Sequence, residues 1–317
     1  TSPVMASMIG DRRYNDQWQD VSLAAIGRRH DERREFLRRV YAIDRTALSE
    51  ADQLNYELFR RQLQDDVDVH RFGGHLMPFF HRGGVQNLEN VTDQLRLVTT
   101  RDFEDWLARM EKIDGVIEQT IELAEAGRSA DLVAPKVLMQ RLVPQLELQI
   151  VDEPEDSPFY RAFAMLPESV PEKDRDRLQK AARQTISKTV LPAYRELDQY
   201  LNTTYLPASR ESIGFSVLPD GEEWYEHLAR SFTTTRMAPD EIHRLGSREG
   251  LFVEPAGAVS VAGLRKVVSE KRLPGIQSAV CMLTGHGLNA PQAVFGSHAL
   301  PNVIAPEVPA VESYLNL

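Results

Sequence analysis

The sequence predicts a mainly α-helical protein, with a helical array over residues 1–246 followed by a small, incomplete α/β fragment. Apolar residues recur at helical spacing through the first part, and no alternating run of apolar and polar residues indicates a strand before residue 210. Composition then changes near residue 247. Charged residues occupy 74 of the first 247 positions but only 10 of the last 70, where glycine is enriched.

Capping residues and apolar stripes place the helices of the first part. The predicted helices cover about residues 49–72, 99–127, 135–150 and 171–201, and a short one begins at Pro239. Ser49 with Asp52, and Thr99 with Asp102, have the spacing of a capping box, which satisfies free amides at a helix start. Pro192 predicts a kink within the fourth helix, because proline cannot donate a backbone hydrogen bond.

The tail, residues 247–317, has a different pattern. It predicts a small-residue helix over residues 256–269 and a short buried strand over residues 279–283 that ends in a glycine-flanked loop. Open α/β sheets bind ligands at the carboxyl ends of their strands, so this loop is a candidate binding loop. The tail alone is too short to complete such a sheet.

Composition excludes several classes of protein. The net charge of −10 argues against a nucleic-acid partner, because phosphate backbones attract basic surfaces. No run of 18 apolar residues indicates a membrane span, and the start lacks the pattern of a secretory signal. The sequence therefore indicates a soluble, cytoplasmic protein, with export left open because a signal could have been removed. One cysteine, Cys281, allows no internal disulfide.

Residues 1–246 resemble the bacterial domain-of-unknown-function family 885, which is related to zinc metallopeptidases. The stretches that carry the resemblance include SPVMASMIGDRRYND, AIDRTALSEADQLNYELFRRQL, RLVTTRDFEDWLARM, SPFYRAFAMLP and GFSVLPDGEEWYEHLARSFTTTRMAPDEIHRLG. The resemblance implies metal-dependent peptide hydrolysis, with zinc held by a His-Glu helix downstream of EIHRLG. None of the eight histidines is followed by glutamate here, so we expect a truncated member that is inactive by itself.

The remaining candidates for a metal site are weak. His70, His75 and His81 are clustered in sequence, but their spacing does not place them on one helical face. We expect a helix end and a solvated loop there. Glu223 and His227 lie one helical turn apart, and we expect an exposed pair on a helix surface. No metal ligands are therefore predicted in this chain.

Residues 249–317 resemble the C-terminal end of threonine synthase, a pyridoxal-phosphate enzyme. The matching stretches are EGLFVEPAGAVSVAGLRKVV and VCMLTGHGLNAPQAV. If the fold were complete, the resemblance implies that Thr284 faces the pyridine nitrogen and that Gly285, His286 and Gly287 shape the loop. The cofactor also needs a lysine and a phosphate cradle. Lys173 is the one lysine in a suggestive context, and we interpret it as an ordinary helix start.

Three functional hypotheses follow. The first is a truncated metallopeptidase-like protein whose intact relatives take peptide substrates and zinc. The second is a fragment or fusion of threonine synthase, a lyase that needs pyridoxal phosphate, and the third is a non-catalytic helical binding protein. Each truncated fold should expose apolar surface, so self-association is expected. The residues alone do not decide whether the junction near residue 247 is natural or an artefact.

Overall fold

The computed structural model describes residues 2–248, and these residues are mainly α-helical. The α-helices are α1 (Pro3–Met8), α2 (Leu23–Tyr41), α3 (Glu50–Asp68), α4 (Thr100–Met110), α5 (Ile113–Ser129), α6 (Lys136–Gln140), α7 (Val143–Glu147), α8 (Arg161–Ala164), α9 (Glu172–Thr185), α10 (Leu191–Tyr200), α11 (Leu206–Ala208), α12 (Gly221–Thr233) and α13 (Pro239–Arg248). No sheet forms within this range, where one isolated bridge joins Pro135 to Arg210. The predicted helical class is confirmed, whereas the predicted α/β tail lies outside the described residues.

The chain forms two compact units, residues 1–221 and 222–317. In the first unit, a large apolar core is built mainly from α4, α5, α9 and α10, with aromatic side chains at its centre. In the described part of the second unit, Trp224 on α12 and Ile242 on α13 are buried. No described helix is long and apolar enough to cross a membrane. The predicted boundary near residue 247 stays a prediction.

Helix starts match the capping predictions. Ser49 caps α3 by accepting a hydrogen bond from the amide of Asp52, and Thr99 forms a complete capping box with Asp102 at the start of α4. The last helix of residues 2–248, α13, begins at Pro239, as predicted. In the capping box of α4, the backbone amides of Thr99 and Asp102 each donate a hydrogen bond to the side chain of the other residue. The two bonds fix the direction in which α4 leaves the preceding segment.

Helix continuity was predicted less well. The helix expected over residues 135–150 is two short helices, α6 and α7, and Pro144 near the start of α7 cannot supply the amide hydrogen bond that would join them. The single helix expected over residues 99–127 is two helices, α4 and α5, separated near Lys112, and α5 ends at Ser129 rather than at Gly127. Gly127 has a packing role instead, because a Cβ atom there would lie 2.1 Å from the carbonyl oxygen of Leu76.

The fourth predicted helix is a continuous helical stretch from α9 to α11, interrupted by two π-helical segments, Ile186–Val190 and Leu201–Tyr205. A proline follows each segment at the second residue, Pro192 and Pro207. Proline removes an i→i−4 hydrogen bond, and prolines and π-bulges are both found where a helix departs from regular α-helical geometry. The predicted kink at Pro192 is therefore a change of helix type next to that residue.

Candidate functional site

The strongest candidate site is an extended segment, residues 95–99, that leads into α4. Leu95 and Thr99 have extended backbone angles, with φ −93° and ψ 144° at the first and φ −106° and ψ 158° at the second. Between them, the amide and carbonyl groups of Arg96 and Leu97 make no backbone hydrogen bond within residues 2–248. Arg96 is exposed and Leu97 half-buried. Within the part of the chain that the structure describes, the segment therefore has main-chain groups without a backbone partner, beside an exposed side chain.

The carboxyl end of this segment is held firmly. The amide of Val98 donates to Asp102 Oδ2 at 3.1 Å, and the carbonyl of Val98 accepts from the Ser169 hydroxyl at 2.6 Å. Asp102 also accepts from Thr99 and pairs with Arg12. Burial opposes the charge on Asp102, but the hydrogen bonds from Thr99, Val98 and Arg12 outweigh burial and lower its pKa. The backbone groups of Arg96 and Leu97 therefore lie next to Val98, whose amide and carbonyl are both hydrogen-bonded.

Two hollows adjoin the segment. The first has a volume of about 280 Å³ and charged walls, which include Arg12, Asp102 and Asp105. Arg12 lies between the two carboxylates and donates to Asp105 Oδ2 at 2.8 Å. Arg96 also lines this hollow, so its charged groups balance in number. The formal charges of these four side chains sum to zero, so they favour neither a strongly acidic nor a strongly basic ligand.

The second hollow is larger and more apolar. Its volume is about 640 Å³, and its walls include Phe103, Met165 and Leu166, with an ion pair of Asp93 and Arg161 at 2.8 Å. Leu97 lines both hollows, so they meet at the middle of the extended segment. The arrangement combines one recess with charged walls and one more apolar recess, and the backbone groups between them have no backbone partner among residues 2–248.

Arg109 fixes the N-terminal residues to α4. Its side chain is fully buried, and Nη2 donates to the Ser7 hydroxyl and the Tyr14 carbonyl, both at 2.8 Å. The guanidinium carbon lies 5.4 Å from the centre of the Trp18 ring, and burial lowers the pKa of Arg109 to about 10. Ser7 lines the first hollow, so this buried arginine supports one of its walls.

The predicted histidine cluster is only partly brought together. His70 stacks between His30 and His75, with ring centres 3.8 and 4.7 Å apart and ring planes within 15° of parallel. His81 lies instead beside Phe80. His30 was not part of the predicted cluster. His30 is 40 residues from His70 in sequence, and no local pattern predicts that the two rings stack. Burial and the neighbouring His30 lower the pKa of both His70 and His75.

This stack does not fit a zinc ion. An imidazole binds a metal through a lone pair in the plane of its ring, so parallel stacked rings cannot direct three nitrogens to one point. Across residues 2–248, no group of three His, Cys, Asp or Glu side chains could hold a metal ion. The expectation for Glu223 and His227 needs correction, because His227 is buried on α12 and is not part of an exposed pair.

The residues predicted for pyridoxal phosphate are not tested. Thr284, Gly285, His286 and Gly287 lie outside the described residues. Lys173 is exposed in the first turn of α9, where acidic residues flank it. This position gives Lys173 no enclosed pocket among the described hollows.

Sequence reasoning missed the extended segment, although a short signal was present. Leu95, Arg96 and Leu97 alternate apolar and polar, and Thr99 follows as a helix cap. Such alternation over three residues is typical of extended chain but is too short to predict a strand. The lack of hydrogen-bond partners can be seen only when the surrounding chain is in place.

The residues that build this site lie within a stretch that matches a known family. Residues 3–251 match the family described as bacterial protein of unknown function (DUF885). The chain belongs to this family. The predicted resemblance over residues 1–246 is confirmed at the level of family membership. Residues 2–248 of this DUF885 protein contain no group of side chains that could hold a metal ion, and the family description names no activity.

A second similarity is to threonine synthases. The chain is 44% identical over 57 residues to the enzyme from Methanocaldococcus jannaschii, and 42% identical over 67 residues to that from Methanosarcina acetivorans. These matches cover 18% and 21% of this chain and 14% and 16% of the two enzymes. The chain therefore spans less than a fifth of the length of these curated relatives.

The fold is also similar to a solved structure. The crystal structure of the "putative lipoprotein" from Colwellia psychrerythraea matches with a TM-score of 0.67 at 15% identity. The match covers 99% of this chain and 54% of that one, so this chain spans about half the length of its structural neighbour. At this identity, the likeness establishes a common fold alone.

Proposed function

We propose that the helical body of this DUF885 protein binds peptides in an extended conformation along residues 95–99. The observation that supports this proposal is the unpaired backbone of Arg96 and Leu97 between two hollows. Extended peptides commonly bind by adding a strand to exposed backbone, and their alternate side chains enter pockets that give specificity. The apolar recess suits a leucine-like side chain, and the charged recess suits a polar one.

In this proposal, the chain recognises peptide substrates of the kind that metallopeptidase-like relatives cleave but does not hydrolyse them by itself. A zinc hydrolase needs three protein ligands and a base beside the metal-bound water. The described residues provide no such ligand set, and the sequence contains no His-Glu pair. The body therefore acts as a recognition element.

Peptide binding can be tested by fluorescence anisotropy, with a fluorescein-labelled hexapeptide of alternating leucine and serine. In Arg96→Pro, the amide hydrogen is lost, and the extended Leu95 with ψ 144° already suits a following proline. One backbone hydrogen bond is worth about 0.5–1.5 kcal/mol, so we expect up to roughly tenfold weaker binding. Arg96→Ala should weaken binding less than about threefold, because this variant keeps the amide.

A proline control separates a local effect from a general one. Ile213→Pro introduces the same ring at another exposed loop position and should leave peptide affinity unchanged. Circular dichroism of each variant checks that the helices are retained. Equal losses in Arg96→Pro and Arg96→Ala would mean that charge, rather than the backbone, binds the peptide. Wild-type affinity in both variants would place the site elsewhere.

Hydrolysis needs its own measurement. Mass spectrometry of a mixed peptide pool, incubated with the full chain and zinc, should show no cleavage above a chain-free control. Stoichiometric tight zinc binding together with cleavage would contradict the proposal that the chain lacks catalysis. Such a result would not test whether residues 95–99 bind peptides, which the anisotropy measurement decides.

A second candidate function rests on the threonine synthase similarity. Identity above 40% over about a sixth of those enzymes favours descent of this stretch from a pyridoxal-phosphate protein. Pyridoxal chemistry needs a lysine beside a phosphate cradle, and Lys173 in an exposed helix start does not fit that requirement. We expect no new near-visible absorbance band when pyridoxal phosphate is added. A band lost in Lys173→Ala would contradict the interpretation of Lys173 as an ordinary helix start.

We also propose export, although the sequence predicts a cytoplasmic protein as printed. The structural neighbour is named as a lipoprotein, and lipoproteins are exported. Peptide recognition would then take place outside the cytoplasm. Fractionation of the source bacterium, followed by immunodetection, should find the protein outside the cytoplasm. Detection in the cytoplasmic fraction alone would contradict export.

A further inference from the structure

The second hollow beside residues 95–99 is large for a single aliphatic side chain. Its volume of about 640 Å³ is more than twice the 280 Å³ of the first hollow. Pockets of roughly 300–1,000 Å³ hold whole small molecules, so a leucine side chain would fill only part of this one. An aromatic side chain would fill more of the hollow and bury more apolar area there.

The walls of the second hollow offer two groups that attract aromatic rings. One is the ring of Phe103 on α4, which also packs against Phe163 with the ring centres 5.7 Å apart. The other is the thioether of Met165, the residue that follows α8. Aromatic rings stabilise each other in offset or edge-to-face contacts, and a methionine sulfur packs favourably at about 5 Å from a ring. An aliphatic ligand side chain would gain neither contact.

Met165 combines a fixed backbone with an exposed side chain. The carbonyl oxygens of Phe163 and Pro167, on either side of Met165, accept hydrogen bonds from α9. The donors are Gln179 Nε2 at 3.0 Å and Arg175 Nη2 at 3.3 Å. Met165 itself is 89% exposed. Because methionine side chains are flexible and adapt to what they contact, this one can turn over a ligand in the hollow while its backbone stays in place.

The rim of the second hollow carries more negative than positive charge. Asp93 and Glu168 contribute two carboxylates, and Arg161 contributes one guanidinium, which pairs with Asp93 at 2.8 Å. The formal charges of these three side chains sum to −1. Like charges placed side by side at a binding site oppose association, so an acidic ligand side chain is disfavoured here. A neutral aromatic side chain meets no such repulsion.

We propose that the second hollow selects peptides with a neutral aromatic residue at the position beside Leu97, and that Met165 determines this preference. The inference rests on the proposed binding of extended peptides along residues 95–99. The ligand ring lies between the side chains of Phe103 and Met165, and the thioether covers the side of the ring that would otherwise face solvent. Leucine enters the same hollow but binds more weakly, because it makes no ring contact.

Fluorescence anisotropy with two further labelled hexapeptides tests the preference. In one peptide, phenylalanine replaces the leucines of the leucine–serine hexapeptide, and in the other, cyclohexylalanine replaces them. The two side chains are similar in size and both are apolar, but only phenylalanine has an aromatic ring. We expect the phenylalanine peptide to bind about three to ten times more tightly to the full chain, because it alone makes ring–ring and sulfur–ring contacts.

Two matched variants test the role of Met165. Met165→Leu keeps an apolar side chain and removes the sulfur, so the preference for phenylalanine over cyclohexylalanine should fall at least about twofold. Met5→Leu makes the same change at another exposed methionine, outside both hollows, and should keep the wild-type preference. Both positions are exposed, so neither change should unfold the protein.

The outcomes separate this inference from the function on which it rests. Equal affinity of wild type for the phenylalanine and cyclohexylalanine peptides would overturn the aromatic preference and leave peptide binding in place. An unchanged preference in Met165→Leu would overturn the role of Met165. If none of the three peptides binds, the proposed function fails, and this inference fails with it.

NMR of protein labelled at its methionine methyl groups gives a second, direct test. The chain has eight methionines, and the signal that is missing in Met165→Leu identifies Met165. A ring packed on the thioether shifts this methyl signal upfield through its ring current. We expect the shift with the phenylalanine peptide and not with the cyclohexylalanine peptide. A Met165 signal that stays in place when the phenylalanine peptide saturates the protein would overturn the proposal.

Discussion

The large core and the α2–α3 hairpin belong to the same unit but are stabilised in different ways. The core is lined by fully buried aromatic and aliphatic side chains of α4, α5, α9 and α10, whereas the hairpin buries three apolar side chains and exposes several others. Apolar burial provides most of the free energy of folding. The comparison predicts that the hairpin is less stable than the core, because far fewer apolar side chains are buried in it.

The largest expected effect is in the core. Phe163 is fully buried, with its ring centre 5.7 Å from that of Phe103. Phe163→Ala should lower the free energy of unfolding by about 3–5 kcal/mol, because it removes buried area and leaves a cavity. Denaturant unfolding followed by tryptophan fluorescence measures this loss. Phe80→Ala, at an exposed phenylalanine, should cost under about 1 kcal/mol. Equal losses would erase the distinction between core and surface.

A smaller and more local effect is expected in the hairpin. Leu63→Ala should cost about 2 kcal/mol, at the low end for a buried leucine, because its cluster is small and can relax. Hydrogen exchange should quicken in α2 and α3 while α4 and α5 keep their protection. The exposed Leu54→Ala is the matched control and should leave exchange of the monomer unchanged. Faster exchange throughout the unit would show that the hairpin folds with the core.

Two helix caps provide a closer comparison. Thr99→Ala removes the cap of α4, and Ser49→Ala removes the cap of α3. Each should cost about 1 kcal/mol, the usual value of a lost cap. Thr99→Ala should lower the global free energy of unfolding, whereas Ser49→Ala should mainly quicken hydrogen exchange in the hairpin. A global loss in both variants would count against a separately stabilised hairpin.

The smallest effect concerns the histidine stack at the base of the hairpin. Burial, and then the neighbouring His30, lower the pKa of His70 below 6.5, so the unfolded chain binds a proton more readily than the folded one. This part of the stability is complete above about pH 6.5 and falls as pH decreases below it. Arg33 acts in the same direction, and Asp31 opposes it.

Unfolding at pH 7.5 and at 5.5 tests this sign. The His70→Phe variant keeps a stacked ring at this position and removes the titrating group. Between pH 7.5 and pH 5.5, the free energy of unfolding of this variant should therefore fall by less than that of wild type. NMR titration of the histidines checks the pKa directly. A folded-state pKa above 6.5 for His70 would contradict the prediction.

The sequence predicted the parts of the fold that depend on local signals. Capping pairs at Ser49 and Thr99 placed helix starts correctly, because their hydrogen bonds reach only three residues along the chain. Contacts between distant residues were missed. The role of Gly127 depends on the carbonyl of Leu76, and the histidine stack depends on His30. The candidate peptide site was missed for the same reason, since unpaired backbone is a property of the folded surroundings.

The π-helical segments explain how one face of a long helix stays in the core. Eight fully buried side chains between Leu178 and Tyr205 follow each other at steps of four residues, with a single step of three. Over these 27 residues, a regular α-helix makes about 7.5 turns, which would carry the last side chain to the far side. Each π segment takes up one extra residue without adding to the rotation of the helix. The whole stretch therefore makes about 6.9 turns, which is close to a whole number. Deleting Lys188 would therefore rotate everything beyond it by about 100° and withdraw Tyr194 and Tyr205 from their neighbours.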